Sequence, residues 1–350
     1  MTKTIRPTRS GLLAAALFTT AAMATPALAD GEVNIYSYRQ PVLIQPLLDA
    51  FTKETGIKTN VIFASDGLAE RIQAEGANSP ADVMMTVDIG RLDGAKQLGI
   101  TQPVSSEVVN ANIPAEFRDP EGHWIGLTTR ARVVYASKDR VEQDSITYEE
   151  LADEKWRGRI CTRSGQHVYS IGLFASMVAH HGAEKTEEWL AGVRDNLASK
   201  PSGNDRAQVK AIFAGECDIS LGNTYYMGKM QTNEKEPEQK DWANSVKILF
   251  PNTEERGTHV NISGVVMAKN APHPAEALKL IEFLSSDAAQ QVYAEANYEY
   301  PVKPGVAASE RVKSWGEIKP DSLPLAEIAN NRKTASELVD KVGFNDGPSS

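Results

Sequence analysis

The chain has 350 residues, with 37 Lys and Arg against 46 Asp and Glu, which gives a formal net charge of -9 at pH 7. An acidic surface disfavours nucleic acid and anionic membranes as partners. No stretch after Met23 is long and apolar enough to cross a bilayer, so we expect no direct membrane insertion. The length is sufficient for two domains.

Residues 1–29 have the pattern of a secretory signal peptide. Three cations at the start are followed by a small, apolar run over residues 11–23 and by an Ala-x-Ala cleavage site that ends at Ala29. Such a segment is too short and wrongly flanked for a membrane span. Removing its three cations takes the charge from -9 to about -12. No cysteine near the cleavage site is available for a lipid anchor, so we expect a freely diffusing periplasmic protein that begins near Asp30.

The mature chain opens with alternating strands and helices. Between residues 41 and 55 the apolar side chains recur every three or four positions, which predicts a helix, and Gly56 is placed to end it. The predicted order is strand 33–36, helix 41–55, strand 58–63, helix 68–77, strand 81–85 and a helix near Arg91. This order predicts right-handed crossovers and a mostly parallel sheet with helices on both faces.

The rest of the chain continues the same α/β pattern. Thr147-x-x-Glu150 is a capping box before a short helix, and the charged residues 233–239 are predicted to form a surface loop. The predicted strands are 128–137, 159–162, 217–221 and 259–267, and the predicted helices are 171–181, 185–198, 206–214, 224 onward, 274–284 and 288–296. Ligands of open α/β sheets bind at the carboxyl ends of strands, so the side chains directly after strands are the candidate contacts.

The two cysteines, Cys161 and Cys217, are predicted to form one disulfide, because the expected compartment is oxidising. The bridge would close a loop of about 56 residues, which chain-entropy models value at roughly 4 kcal/mol. A metal site is the competing interpretation, but two isolated thiols without a CxxC spacing disfavour it.

Five side chains follow or lie in predicted strands in positions that suit a ligand. Tyr225 and Tyr226 lie where a strand meets a helix, a junction at which both hydroxyls can converge on one point; the alternative is aromatic packing under a loop. Tyr169 also follows a strand and precedes a helix, and alone it would be an ordinary half-buried tyrosine. Arg39 and Arg130 offer guanidinium forks that suit a small oxyanion, although a surface salt bridge is the commoner role of an arginine.

Five segments give the chain a resemblance to the periplasmic ferric-binding proteins of ABC importers. They are Asn34-Ile35-Tyr36-Ser37, residues 75–83, residues 222–228 with the sequence Gly-Asn-Thr-Tyr-Tyr-Met-Gly, Gly257-Thr258-His259-Val260-Asn261 and Tyr298-Glu299-Tyr300-Pro301-Val302. The resemblance covers nearly the whole mature chain. It implies a two-lobed type II periplasmic-binding-protein fold, α/β in class, with a hinged cleft between its domains.

The same resemblance implies the division of the chain and its partner. We expect an N-terminal lobe of residues 30–131 plus about 260–305, a C-terminal lobe of residues 132–259, and a C-terminal helical segment of about 306–350 that packs on the lobes. Hinges are expected near residues 130–135 and 260–266. The protein is expected to act as a monomer and to deliver its cargo to an ABC permease in the inner membrane.

By the matching motifs, the resemblance implies that Tyr169, Tyr225 and Tyr226 bind Fe(III) and that Arg39 and Arg130 hold a synergistic anion such as carbonate. Several relatives carry Arg-His-Tyr after the first strand, where this chain has Arg39-Gln40-Pro41. We therefore expect a site of three tyrosines, completed by carbonate, another small anion or water.

Elementary chemistry agrees with an iron site. Ferric iron is a hard ion that prefers oxygen donors, and a bound cation strongly favours the deprotonated phenol. The six histidines show no H-x3-H or HExxH spacing, and only His167 lies near the proposed site.

Two alternatives remain open at this point. One is the same fold binding an organic solute such as a polyamine or an oxyanion. The other is a secreted enzyme or a non-transport iron-handling protein, although no G-x-S-x-G, P-loop or G-x-G-x-x-G motif is present.

Overall fold

The computed structural model describes residues 1, 2, 4 and 31–348. The predicted signal peptide over residues 1–29 therefore lies outside the described residues, apart from three positions at its start. Among the helices of the described part, none is long and apolar enough to cross a membrane.

Strands and helices alternate along the chain, as the sequence predicts. The strands are β1 Glu32–Ser37, β2 Lys58–Phe63, β3 Val83–Val87, β4 Thr101–Gln102, β5 Ile125–Ser137, β6 Ile160–Cys161, β7 Ile219–Asn223, β8 Val246–Leu249, β9 Val260–Ala268 and β10 Tyr300–Pro301. The helices are α1 Pro41–Thr55, α2 Leu68–Glu75, α3 Ile89–Gln97, α4 Glu107–Asn112, α5 Val168–His181, α6 Ala183–Asp195, α7 Asp205–Phe213, α8 Thr224–Gln231, α9 Glu238–Asn244, α10 Pro274–Leu284, α11 Asp287–Asn297, α12 Glu310–Lys313 and α13 Leu325–Lys341.

Helix α1 shows how closely the apolar spacing determines an element. Its buried residues are Ile44, Leu47, Leu48 and Phe51, which lie on one face. The helix has the bounds predicted from that spacing. Gly56 follows in the left-handed conformation (φ 75°), where its N–H donates to the Thr52 carbonyl and closes the last turn.

The sheet has a mixed order, β2-β1-β3-β9-β5-β7-β6. Strands β1, β2 and β3 are parallel, as expected of the opening segment. Strands β6 and β7 are also parallel. Strand β9 lies antiparallel to both β3 and β5, and β5 lies antiparallel to β7, so the prediction of a mostly parallel sheet is correct for the first three strands and for β6 with β7, but wrong for the middle of the sheet. The reason is that β9 lies far from β3 in sequence. No single helical crossover joins the two strands, so nothing requires them to run parallel.

Strand β5 belongs to both halves of the sheet because it is long, at 13 residues. Its first half pairs with β9 as far as Ala131, which lies opposite Val260. From Arg132, which lies opposite Asn223, its second half pairs with β7. The side chains that follow β1, β6 and β7 are thereby brought to the junction of the two halves.

Two local predictions need correction. Thr147 and Glu150 do form the reciprocal hydrogen bonds of a capping box, but the turn that follows is a 3₁₀ helix over Glu149–Ala152. The predicted loop 233–239 gives way to helix α9 at Glu238, because burial of Gln239 and Ala243 stabilises a helix that charge alone does not indicate.

Helix α13 ties the C-terminal segment to both halves of the molecule. Ser336 donates from Oγ to Gln166 Oε1, at the entry to α5, over 2.7 Å. Arg332 Nη1 lies 2.9 Å from Asp88 Oδ1, at the start of α3. The helix thus contacts the α5 side and the α3 side at once.

The predicted disulfide between Cys161 and Cys217 is present and joins the end of β6 to the residues that lead into β7. The two cysteines are 56 positions apart in sequence. The bridge therefore closes a long loop that contains α5, α6 and α7.

Replacing both cysteines by serine should lower the free energy of unfolding by about 4 kcal/mol, because the unfolded chain regains the entropy of this loop. Urea unfolding at equilibrium measures the loss, with the wild-type protein under reducing conditions as the control that should match it. An unchanged unfolding midpoint would show that the bridge contributes nothing to stability.

Candidate functional site

The three candidate tyrosines all lie in the first turns of helices. Tyr169 is the second residue of α5, where the His167 side chain caps the helix by accepting from the Tyr169 N–H through Nδ1 over 3.2 Å. Tyr225 and Tyr226 follow Thr224 at the start of α8, directly after β7. Each side chain therefore projects from the point where a strand passes into a helix.

The structure brings these three side chains together. The Tyr169 and Tyr225 hydroxyl oxygens are 3.2 Å apart. The rings of Tyr225 and Tyr226 are stacked, with centroids 4.3 Å apart and an angle of 29° between planes. The junction thus directs two neighbouring phenols to the same side, which one regular helical turn in isolation does not do.

Burial governs the ionisation of the phenols. Desolvation raises the pKa of Tyr225 well above its ordinary value, and the neighbouring Tyr169 and Tyr226 add to the shift. Desolvation also raises the pKa of Tyr226 to about 12, helped by the Asp205 carboxylate and opposed by Arg163. Both phenols are therefore protonated at neutral pH until a cation displaces their protons.

A buried carboxylate, Asp205, fixes the walls that carry the tyrosines. Its Oδ2 accepts from Arg132 Nη1 over 2.6 Å and from the Asn223 N–H over 2.9 Å, and its Oδ1 accepts from Arg163 Nη1 over 2.9 Å. Burial alone would raise the pKa of this carboxyl, but the two arginines hold it below its usual value. The Arg163 guanidinium also lies 5.2 Å from the centroid of the Tyr169 ring, a cation–π contact.

Arg39 and Arg130 meet at one hydroxyl. Ser263 Oγ accepts from Arg39 Nη1 over 2.5 Å and from Arg130 Nη1 over 3.0 Å. Glu299 pairs with Arg39 through a 2.7 Å contact in which both side chains are buried, and it also accepts from Thr128. Glu299 thus pairs with Arg39 alone, and Arg130 has no carboxylate partner among the described residues, which leaves one positive charge uncompensated at this point.

Several guanidinium donors at this point have no partner among the described residues. They are Nε of Arg39 and both Nε and Nη2 of Arg130. Buried donors without partners are costly, and an oxyanion is the ligand that suits them. The alternative of a surface salt bridge for Arg39 does not hold, because its pair with Glu299 is buried and its Nε has no partner among the described residues.

One cavity of about 510 Å³ connects these groups. Arg39, Tyr169, Tyr225 and Tyr226 all line it. Arg130 lies behind the wall, with its guanidinium carbon 5.6 Å from the centroid of the Tyr169 ring. Four of the five predicted site residues therefore face one space, and the fifth lies behind Tyr169.

Sequence and structure comparisons relate this chain to known proteins. The profile of a family described as bacterial extracellular solute-binding protein matches residues 47–320. The chain belongs to this family.

Three relatives of this solute-binding protein are similar over most of their length. Iron uptake protein A1 of Synechocystis is 47% identical over 315 residues, which cover 89% of this chain and 87% of the relative. The structure of apo ferric ion-binding protein A of Pasteurella haemolytica is 52% identical, with a TM-score of 0.86 and coverage of 90% and 99%. A Trichodesmium protein in complex with iron and citrate ligands is 45% identical, with a TM-score of 0.85 and coverage of 90% and 100%. These likenesses confirm the predicted two-lobed type II fold.

Sequence reasoning missed three features of the cavity in this solute-binding protein. Glu299 lies in a segment that the resemblance includes, but its pairing with Arg39 requires a contact across 260 positions. Arg206 and Lys229 line the same cavity, and neither stands out among the many cations of the chain. His167, an outside candidate for the site, instead caps α5, and burial lowers its pKa to about 3.

Gly228, in the Thr-Tyr-Tyr-Met-Gly run, is required by close packing. A Cβ added there would lie 2.3 Å from Cγ of Tyr298, far inside any normal contact. The glycine thus allows α8 to approach the end of α11, and this approach forms one side of the cavity.

Replacing Asp205 by Asn should lower the free energy of unfolding by about 3–5 kcal/mol, because Arg132 and Arg163 lose their buried carboxylate. Asp218→Asn is the matched control. Asp218 also joins two arginines, Arg140 and Arg159, but those are more than one third exposed, so its loss should cost about 1 kcal/mol or less. Urea denaturation of the metal-free proteins measures both, and equal losses would contradict the role assigned to Asp205.

Proposed function

We propose that this solute-binding protein captures ferric iron through the phenolate oxygens of Tyr169, Tyr225 and Tyr226. The observation that carries the proposal is the convergence of the three phenols on one cavity, with 3.2 Å between the Tyr169 and Tyr225 oxygens. Oxygen atoms at this separation are suited to binding a single small cation together. The names of the relatives, which are ferric-binding and iron uptake proteins, support the same cargo.

The chemistry of the donors favours a trivalent, hard ion. Phenolate is a hard oxygen ligand, and three phenolates neutralise three positive charges. Because burial raises the pKa of Tyr225 and Tyr226, only a cation of high charge density displaces their protons at neutral pH. A monovalent organic cation or a weakly bound divalent ion gains less electrostatic energy from each phenolate, because its charge is smaller or lies farther away.

A small anion such as carbonate completes the metal site in this proposal. Arg39 and Arg130 supply the positive charge, and Glu299 balances only one of the two. The unpartnered guanidinium donors of the pair bind the anion, whose remaining oxygens face the iron. The anion thus stabilises the buried cations as well as the metal.

The remaining parts of the proposal concern transport. Residues 30–131 with about 260–305 form one lobe, residues 132–259 form the other, and residues from about 306 pack on both. The lobes close around iron by bending near residues 130–135 and 260–266, where β5 changes its partner from β9 to β7 and where β9 begins opposite Ala131. The protein works as a monomer in the periplasm, after removal of its signal peptide, and hands iron to an ABC permease of the inner membrane.

The lining of the cavity argues against the rival cargo of a polyamine. A polyamine site requires clustered free carboxylates, but both acidic side chains that line the cavity are paired, Glu299 with Arg39 and Glu234 with Lys240. The cations Arg206, Lys229 and Lys235 line the same space. The relatives are named as binding proteins, which supports binding rather than catalysis as the activity.

Replacing Tyr226 by Phe removes one phenolate and should weaken ferric iron binding by more than about 100-fold, since the loss of groups that merely orient a ligand already costs 10–100-fold. Competition with a chelator of known affinity measures the change. Tyr36→Phe is the control, because the Tyr36 hydroxyl bonds to Glu75 and does not line the cavity, so its affinity should stay at the wild-type value.

The Tyr226→Phe protein should retain the wild-type circular dichroism spectrum and unfolding midpoint. Iron affinity within threefold of wild type in a folded Tyr226→Phe protein would mean that the tyrosine is not a ligand.

A further inference from the structure

Tyr169 is held in the cavity differently from the other two tyrosines. Tyr225 and Tyr226 follow β7, which lies inside the sheet between β5 and β6. Tyr169 is separated from β6 by residues 162–167, which belong to no helix or strand. A connecting segment places a side chain accurately only where other contacts hold its backbone. The position of the Tyr169 hydroxyl therefore depends on what holds this turn.

Hydrogen bonds from the C-terminal part of the chain hold the turn. The Gln166 side chain donates through Nε2 to the Ser336 carbonyl over 2.9 Å and to Asp340 Oδ1 over 2.8 Å. Its Oε1 accepts from Ser336 Oγ over 2.7 Å. The Gly165 N–H donates to Asn345 Oδ1 over 2.8 Å. Two adjacent residues of the turn are thus fixed from a segment that is remote in sequence.

Close packing supports the same contact. A Cβ added to Gly165 would lie 2.8 Å from Cδ1 of Phe344 and 2.9 Å from Cγ1 of Val339, so no larger residue fits there without a shift. Phe344 is fully buried and also packs against Phe174 of α5, with ring centroids 5.4 Å apart. The turn therefore cannot move toward the C-terminal segment, and the hydrogen bonds oppose movement away from it.

Arg332 links this contact to the α3 side of the molecule. Its Nη1 lies 3.5 Å from the carbonyl of Val168, the residue before Tyr169, and 2.9 Å from Asp88 Oδ1. A Cβ on Gly90, in the first turn of α3, would lie 2.0 Å from Arg332 Nε. Asp88 is buried with φ 83°, a conformation that a residue with a side chain keeps only where its surroundings enforce it. The turn before Tyr169 is thus also held relative to α3.

We propose that residues 332–345, here called the C-terminal clamp, belong to the iron site because they position Tyr169 without touching the metal. The proposal rests on the function proposed above and deepens it, since it names the groups that hold one of the three ligands. Arg332, Gln166 and Asn345 are its positioning residues. A ligand that is already held in place loses less conformational freedom when the metal binds. Part of the affinity for iron therefore comes from contacts on the far side of the turn.

The test is a double-mutant cycle between the clamp and the tyrosine. Gln166→Ala/Asn345→Ala should weaken ferric iron binding roughly tenfold, the low end of the range for groups that orient a metal ligand. In a Tyr169→Phe background the same two substitutions should change the affinity less than about twofold, because the side chain that they position no longer binds the metal. Competition with a chelator of known affinity, in bicarbonate, measures all four proteins.

Lys341→Ala is the matched control. Lys341 lies on α13 as well, but its ammonium group pairs with Glu187 of α6 over 2.7 Å and does not contact the turn. Its iron affinity should equal that of the wild type.

Single substitutions keep the test informative if the double variant does not fold. Asn345→Ala alone leaves the Gly165 N–H without its acceptor and should weaken iron binding about threefold. Asn345→Asp retains an oxygen acceptor at that point and should recover most of the affinity. Equal losses in the two single variants would contradict a role for this hydrogen bond in positioning the tyrosine.

The outcomes separate this inference from the function on which it rests. Folded clamp variants that bind iron as tightly as the wild type, or that lose as much affinity in the Tyr169→Phe background as in the wild type, would overturn the positioning role and leave iron capture standing. Wild-type protein that binds no ferric iron, or a Tyr169→Phe protein with wild-type affinity, would instead overturn the proposed iron site.

Discussion

The buried contact between Asp205 and the two arginines Arg132 and Arg163 is the constraint on which the site depends. It joins β5, the segment after β6, the start of α7 and, through the Asn223 N–H, the end of β7. These are the elements that lead into the tyrosine-bearing turns. Neither arginine has another carboxylate partner among the described residues, so both depend on Asp205 for their neutralisation. Buried charges of this kind specify geometry more than they add stability. The position of Tyr226 beside this group follows from that geometry.

The electrostatic design has two opposing parts. Burial keeps Tyr225 and Tyr226 protonated, so the empty site carries no excess negative charge of its own. Arg39 and Arg130 meanwhile meet at the Ser263 hydroxyl, and a single carboxylate, Glu299, pairs with Arg39. In the proposed function, a trivalent cation would ionise the phenols and an anion would satisfy the guanidinium groups. Cation and anion would then bind more favourably together than either alone, and loss of the anion or reprotonation of a phenol would each favour release.

The sequence predicts the elements of this protein better than their connections. Helix α1 and the strand before α8 follow from local spacing, and the cysteine pairing follows from the compartment and the number of thiols. The antiparallel insertion of β9 was not predictable, because it depends on which distant segment fills the gap beside β3.

The same limit applies to the candidate site. The tyrosine pair stands out because two aromatic residues lie where a strand meets a helix, whereas the positions of Glu299 and Arg206 depend on tertiary proximity alone. A carboxylate that neutralises an arginine 260 positions away leaves no local pattern in the sequence. Long-range charge pairing, rather than secondary structure, is the part that only the three-dimensional structure reveals.

The most direct test of iron–tyrosine binding is a visible absorption titration of the metal-free mature protein with ferric iron and bicarbonate. Phenolate-to-iron charge transfer gives a red-orange colour, which should grow until one iron is bound per protein and should be absent or strongly weakened in Tyr225→Phe. A protein that binds one ferric ion tightly and remains colourless would contradict the account, since the metal would then be held by groups other than the tyrosines.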